Sequence, residues 1–165
     1  MTAIARIQDF KSHVGSTVKV QGWIHNKRSS GKLQFLILRD GTGFAQAVVS
    51  KAAVSEEAWT SLDKSGQETS VEVTGLVKED KRAPGGFEMD VKDATVIQST
   101  HEFPITPKEH GTAFLMENRH LWLRSEKQHA IIRIRHTVIK AFRDYLDEQG
   151  FTLVDTPIFT PAACE

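Results

Sequence analysis

The sequence predicts a small five-stranded β-barrel over residues 1–98, a connector at 99–124 and a helix-plus-strand segment at 125–165. Three observations carry this. Five stretches before residue 98 are rich in β-branched and aromatic residues that alternate with polar ones, the period of half-buried strands. One short capped helix separates the third stretch from the fourth. A sustained 3–4 apolar period appears only after residue 125, beyond Pro104 and Pro107, which can continue neither strand nor helix.

The first strand is read at 18–26, where Val18, Val20, Gly22 and Ile24 alternate with Lys19, Gln21, Trp23 and His25. The polar run KRSSGK follows as a loop, with Gly31 available for positive φ. The second strand spans 33–40, with Leu36 and Leu38 on one face and Phe35 and Ile37 on the other. Gly41-Thr42-Gly43 makes a tight turn into a third strand at 44–49, completing a meander. Ser55 before Glu56 and Glu57 is an N-cap followed by acids in the first turn, so a helix is expected to about Lys64. Val71, Val73, Gly75 and Val77 mark the fourth strand, KEDKRAPGG a hairpin loop, and 87–97 the fifth strand. Three strands, a helix and two strands is the element order of an OB-fold, a Greek-key barrel that often binds single-stranded nucleic acid.

Ser125-Glu126-Lys127-Gln128 fits a capping box, S-x-x-Q, at the start of a long helix. Ile131, Ile134, Val138, Ala141 and Tyr145 form its apolar stripe, widened by Ile132, Ile139, Phe142 and Leu146. Gly150 is placed to end the helix in a left-handed conformation, and 151–154 reads as a short strand stopped by Pro157.

Composition narrows the function classes. The chain has 165 residues, 39% hydrophobic and 25% charged, ordinary for a globular protein and unlike collagen or a disordered tail. No apolar run approaches the ~20 residues that span a bilayer, and the N-terminus does not read as a signal peptide. The single cysteine, Cys164, excludes an internal disulfide and fits a reducing, cytoplasmic setting. Zero net charge hides an asymmetry: residues 1–49 carry seven Lys/Arg and two Asp, whereas 51–98 carry six Lys/Arg and ten Asp/Glu. A basic first third fits a polyanionic partner.

No H-E-x-x-H, P-loop, G-x-S-x-G or C-x-x-C occurs, so the chain shows no catalytic residue and no metal site. The chemistry-bearing residues sit in the barrel. Lys19, Lys27, Arg28, Lys32 and Arg39 are interleaved with Trp23 and Phe35 on the first two strands and the loop between them. Aromatic faces that stack bases, among cations that follow phosphates, are the means of binding single-stranded nucleic acid. Phe35 also reads as a core aromatic, and Trp23 as packing under the barrel rim. Gln46 can hydrogen-bond a base edge.

Beyond the barrel, Gly150-Phe151-x-x-Val154-x-x-Pro157-Ile158-Phe159 after a long helix resembles motif 1 of class II aminoacyl-tRNA synthetases. With the OB-fold ahead of it, the chain resembles the aspartyl/asparaginyl/lysyl subgroup. Glu117-Asn118-Arg119-His120-Leu121-Trp122-Leu123-Arg124-Ser125 and the ending Thr156 to Glu165 are similar to the asparaginyl enzymes. The resemblance covers nearly the whole chain, and its specificity lies in the order of barrel, connector and motif 1.

The resemblance implies a family function: asparagine is activated with ATP and Mg2+ as an adenylate and transferred to tRNA(Asn) by a cytoplasmic homodimer. It implies that Phe35 stacks on the central anticodon base, a uridine, that Gln46 reads an anticodon base, and that Arg28, with Lys27 beside it, contacts the anticodon. Glu88 matches an acidic anticodon reader, Glu165 the glutamate that approaches the amino acid's ammonium, and Gly150, Phe151 and Pro157 the motif 1 dimer interface. It also implies that motifs 2 and 3, with their ATP-binding arginines, lie beyond Glu165, so these 165 residues alone are expected to be inactive and to bind no cofactor. An aspartyl-type ligase, including one that charges both tRNAs, and a free-standing OB-fold nucleic-acid-binding module remain open on the sequence.

Overall fold

The structure, a computed structural model, describes residues 2–159. It divides into two compact units, residues 1–109 and 110–165.

The first unit is a closed barrel with strand order β1-β2-β3-β5-β4. Its strands are β1 (Thr17–Ser30), β2 (Leu33–Arg39), β3 (Phe44–Ser50), β4 (Ser70–Glu79) and β5 (Phe87–Gln98), with helix α1 (Glu56–Lys64) between β3 and β4. Period-2 alternation builds the core: Val18, Val20, Leu36, Leu38, Ala45, Ala47, Val49, Val71, Val73, Met89 and Val91 all point inward. β1 is long enough to serve two neighbours. Thr17 to Trp23 pair with β4, and Trp23 to Ser30 pair with β2. A register shift between Ile24 and Asn26 leaves His25 as the extra residue of a bulge, which bends the strand from one partner to the other.

The first strand outruns the sequence reading, which placed a loop at KRSSGK. Residues 27–30 stay in the ladder opposite Leu36, Phe35, Gln34 and Leu33 in turn, and only Gly31-Lys32 turns. Gly31 at φ +60° suits a two-residue hairpin. Polar composition misleads here because these residues need only one face and a ladder partner to remain a strand.

The chain before β1, unread in the sequence, forms a 3-10 helix at Ile7–His13 that buries Ile7 and Phe10 in the barrel core. The Ile7 amide donates to Asp40 Oδ2 at 2.8 Å, while Asp40 Oδ1 accepts from the Thr42 and Gly43 amides, so one carboxylate fixes both the helix start and the β2–β3 turn. Ser55 Oγ caps α1 by accepting the Ala58 amide at 3.1 Å. Gly75 is required by close approach: a Cβ there would sit 2.4 Å from the Asp90 carbonyl oxygen. After β5 the chain stays on the barrel. The Gly66 amide donates to Thr100 O at 2.8 Å, Gln67 Nε2 donates to Ile105 O at 2.9 Å, and Ile105 is buried.

The second unit holds α2 (Thr112–Glu117), a 3-10 turn at Trp122–Arg124 and α3 (Glu126–Glu148). α2 was not foreseen in the connector. The capping box at Ser125 does not form, and Ser125 makes no side-chain cap. Its amide, which a capping-box side chain would take, already donates to Trp122 O at 2.9 Å as the end of the preceding turn. The other end of α3 closes by a Schellman motif: Gly150, at φ +85°, donates to Asp147 O and Phe151 donates to Leu146 O. No residue of α3 is buried; Ile134, Phe142 and Tyr145 are all exposed. Residues 151–159 carry no strand, because a strand needs a ladder partner and the described residues supply none. Among the described residues no helix is long and apolar enough to cross a membrane.

Candidate nucleic-acid interface

The outer face of the sheet formed by β1, β2, β3 and β5 presents side chains in cross-strand rows. Register alone sets the first two. Arg28 lies opposite Phe35, which lies opposite Val48, and Asn26, Ile37, Gln46 and Glu88 follow in the next row. The parallel pairing of β3 with β5, which closes the barrel, is what sets Glu88 beside Gln46.

Arg28, Phe35, Gln46 and Glu88 thereby line one cleft of about 450 Å³, together with Val48, Asp80 and Arg82. The Arg28 guanidinium carbon stands 4.3 Å from the centroid of the Phe35 ring, a cation–π contact. Gln46 Nε2 donates to Glu88 Oε2 at 3.2 Å. An ionised carboxylate only accepts, so this bond fixes the amide: the Gln46 NH2 faces Glu88 and its carbonyl oxygen is left as an acceptor. The floor of the cleft is therefore acceptor-rich, matched to a base edge that donates. One wall is the β4–β5 loop. There Asp80 accepts the Arg82 amide at 2.9 Å, and this bond with the Arg82 side chain holds the Asp80 carboxyl below its usual pKa. Lys78 and Asp90 form an ion pair beside Glu88 that raises the Lys78 pKa.

Lys27 is placed elsewhere. Its ammonium donates to three carbonyls at the end of α1, those of Leu62, Asp63 and Ser65, at 2.8, 2.7 and 2.8 Å. Burial lowers its pKa, against the opposing pull of Asp63. Arg39 is committed to a bidentate pair with Glu68, 2.7 Å at each oxygen, and Lys19 is paired with Glu72. Trp23 lies at the surface with Arg39 over its ring at 5.7 Å. Gly150, Phe151 and Pro157 belong to the second unit, and Glu165 lies outside the described residues. Sequence reasoning missed Val48, Asp80 and Arg82. Val48 follows from its alternation with buried Ala47 and Val49; nothing in KEDKRAPGG says which of its side chains turn inward.

Two family models match the chain. One, an OB-fold nucleic acid binding domain, covers residues 18–97, and the other, tRNA synthetases class II (D, K and N), covers residues 111–165. The second match places residues 111–165 among the class II tRNA synthetases. The chain's relatives include the asparagine--tRNA ligase of Sorangium cellulosum (strain So ce56), 54% identical over 158 residues, which make up 95% of this chain and 35% of that protein. The asparagine--tRNA ligase of Koribacter versatilis (strain Ellin345) is 50% identical over 165 residues, with 98% of this chain and 37% of the relative covered. Among solved structures, the asparaginyl-tRNA synthetase of Pyrococcus horikoshii complexed with asparaginyl-adenylate matches with a TM-score of 0.85 at 40% identity, over 96% of this chain and 37% of that one. The chain thus spans a little over a third of the length of the curated relatives it matches.

Proposed function

We propose that the barrel binds the anticodon of tRNA(Asn), and that the chain is the N-terminal portion of an asparagine–tRNA ligase. The observation that carries this reading is the convergence of Arg28, Phe35, Gln46 and Glu88 in one cleft of an OB barrel. Phe35 offers a ring face to the central base, a stack worth about 1–3 kcal/mol. Gln46 presents its carbonyl oxygen, an acceptor for the N3–H of a uridine. The free oxygen of Glu88 accepts from a second donor edge. Arg28 couples the stacked ring to the phosphate backbone. Lys27 acts on α1 rather than on RNA.

The asparagine-activating chemistry belongs to the full-length enzyme, a cytoplasmic homodimer. Bound ATP and Mg2+ would there supply the α-phosphate electrophile and its charge neutralisation. Among the described residues no group of three or more His, Cys, Asp or Glu could hold a metal ion. In the same reading Glu165 approaches the asparagine ammonium as a charge-assisted acceptor, and Gly150, Phe151 and Pro157 contribute to the two-fold interface.

The test is binding of tRNA(Asn) and of anticodon-substituted tRNA(Asn), paired with aminoacylation by the full-length enzyme. Phe35→Ala should weaken tRNA(Asn) binding by about 1–3 kcal/mol, whereas Gln46→Ala, which removes the acceptor, should reduce discrimination at the central anticodon position. Unchanged binding and discrimination would overturn the anticodon reading. Charging of tRNA(Asn) with aspartate in preference to asparagine would replace the ligase assignment with the aspartyl type.

A further inference from the structure

The sheet face that carries the cleft continues past it. One row beyond Asn26, Ile37 and Gln46, the register sets Trp23 opposite Arg39 and Arg39 opposite Phe44. Trp23 and Phe44 are each 37% exposed, although Ile24, Leu38 and Ala45 beside them in the strands are buried. The two ends of this face are built alike. At one end a cation on β1 covers an aromatic on β2, Arg28 over Phe35. At the other a cation on β2 covers an aromatic on β1, Arg39 over Trp23.

The second end is also held rigid. Glu68 fixes the Arg39 guanidinium through two hydrogen bonds of 2.7 Å, and His25 braces the Phe44 ring edge-on at 4.9 Å between centroids. Glu68 itself sits at a positive φ of 63°, a conformation rare for a residue with a side chain. Two partly exposed aromatics on a fixed framework, facing the same way as Phe35, make a platform for a flat ring and not a random surface.

We infer that Trp23 and Phe44 form a second base-stacking subsite of the barrel, which takes an unpaired nucleotide of the anticodon loop flanking the triplet. The inference rests on the anticodon reading of the Phe35 cleft. The spacing selects the nucleotide. From Phe35 to Arg39 is four residues along β2, about 13 Å at ~3.3 Å per residue. That is far more than the ~3.4 Å rise of one stacked nucleotide. With the central base on Phe35, this platform lies beyond the reach of an adjacent stacked base of the triplet and meets a nucleotide that flanks it. The Arg39 charge is neutralised by Glu68, so the subsite contributes stacking and no phosphate contact. Its loss should lower affinity without changing the salt dependence of binding.

The experiment uses the full-length enzyme and three anticodon stem-loop RNAs of tRNA(Asn): intact, abasic at the central anticodon position, and abasic at the nucleotides flanking the triplet. Phe44→Ala should weaken binding of the intact RNA about 5- to 150-fold, the worth of one stacked base, with the slope of log affinity against log salt unchanged. The same substitution should have no further effect on the flank-abasic RNA. Phe44→Leu, which keeps an apolar side chain against His25 but has no ring face, should behave like Phe44→Ala, and Phe44→Tyr should bind like wild type. These two variants decide the matter if Phe44→Ala fails to fold. Equal losses on intact and flank-abasic RNAs, or no loss for Phe44→Leu, would overturn the subsite. Failure of the underlying reading looks different: Phe35→Ala would then leave the intact and centre-abasic RNAs indistinguishable from wild type.

Discussion

Lys27 and Arg28 are adjacent basic residues with opposite assignments, and replacing Lys27 by methionine tests the distinction. The substitution keeps a long apolar stem and removes the ammonium. Three carbonyls at the end of α1 lose a charged donor. A hydrogen bond to a charged group contributes about 1.5–3 kcal/mol, and a cation at a partly buried helix C-terminus up to about 2 kcal/mol. The three bonds do not add, because they share one ammonium that water would otherwise solvate. Leu62 O also keeps the Ser65 amide as a partner at 3.2 Å. The expected cost is therefore about 2 kcal/mol, and with roughly 4–8 °C per kcal/mol for a domain near this size, the barrel's Tm should fall by about 8–16 °C. Tm comes from a thermal melt of the 165-residue chain followed by far-UV circular dichroism. The RNA readout is the slope of log affinity against log salt, measured below the lowered Tm. A lysine on a phosphate contributes about 0.7 to that slope for single-stranded nucleic acid. Lys27→Met should leave the slope where it was. An unchanged Tm together with a slope reduced by about 0.7 would refute the placement of Lys27 on α1 and return it to the RNA face.

The remaining expectations are compact. Arg28→Ala should do the converse, reducing the salt slope by about 0.7 with little change in melting temperature; an unaltered slope would mean that Arg28 reads a base edge. Gly75→Ala forces a methyl to 2.4 Å from Asp90 O and 2.6 Å from Met89 Cγ, so the barrel should lose about 3 kcal/mol in a denaturant titration. We expect the exposed stripe of α3 to join Gly150, Phe151 and Pro157 in the proposed two-fold interface, so Phe142→Glu should convert the proposed full-length homodimer to monomer in sedimentation velocity; a dimer that persists would remove α3 from that interface. The Asp80 carboxyl titrates below its usual value because it accepts hydrogen bonds from Arg82. Its hold on the β4–β5 loop is complete above that usual value and is lost only as pH falls through the lowered one, so an NMR titration of Asp80 should show no step between about pH 5 and 8.

The barrel was legible in the sequence because its inward positions are occupied by Val, Leu, Ile and Ala with little interruption, and because Ser55 marks the start of α1 unambiguously. The N-terminal 3-10 helix was not, since a seven-residue element with only Ile7 and Phe10 inward is too short for a period to be detected. The strand at 27–30 was hidden by Ser and Lys on a segment exposed to water, where composition follows solvent and backbone pairing follows the partner strand. For the candidate site, aromatic and cationic residues in one stretch marked Arg28 and Phe35. The Gln46–Glu88 neighbourhood depends on a parallel pairing between strands 42 residues apart, which no local pattern encodes. Charge counting also overstated the cations left for a partner: Lys19, Lys27 and Arg39 are committed to Glu72, to α1 and to Glu68, and an intramolecular partner cannot be seen in a linear string.

The barrel's connectivity also bears on how the protein would acquire the proposed binding surface. β1, β2 and β3 are joined by short turns and pair as a meander, so Arg28, Phe35 and Gln46 come together through contacts close in sequence. Glu88 arrives only when β5 crosses to β3, a closure that must wait for α1, β4 and the loss of a large loop's entropy. During refolding a uridine-containing loop would meet the stacking ring before it met the completed hydrogen-bonding floor. Affinity for RNA of any sequence should therefore emerge early on the folding time course, and discrimination between anticodons should emerge late, at the rate of barrel closure.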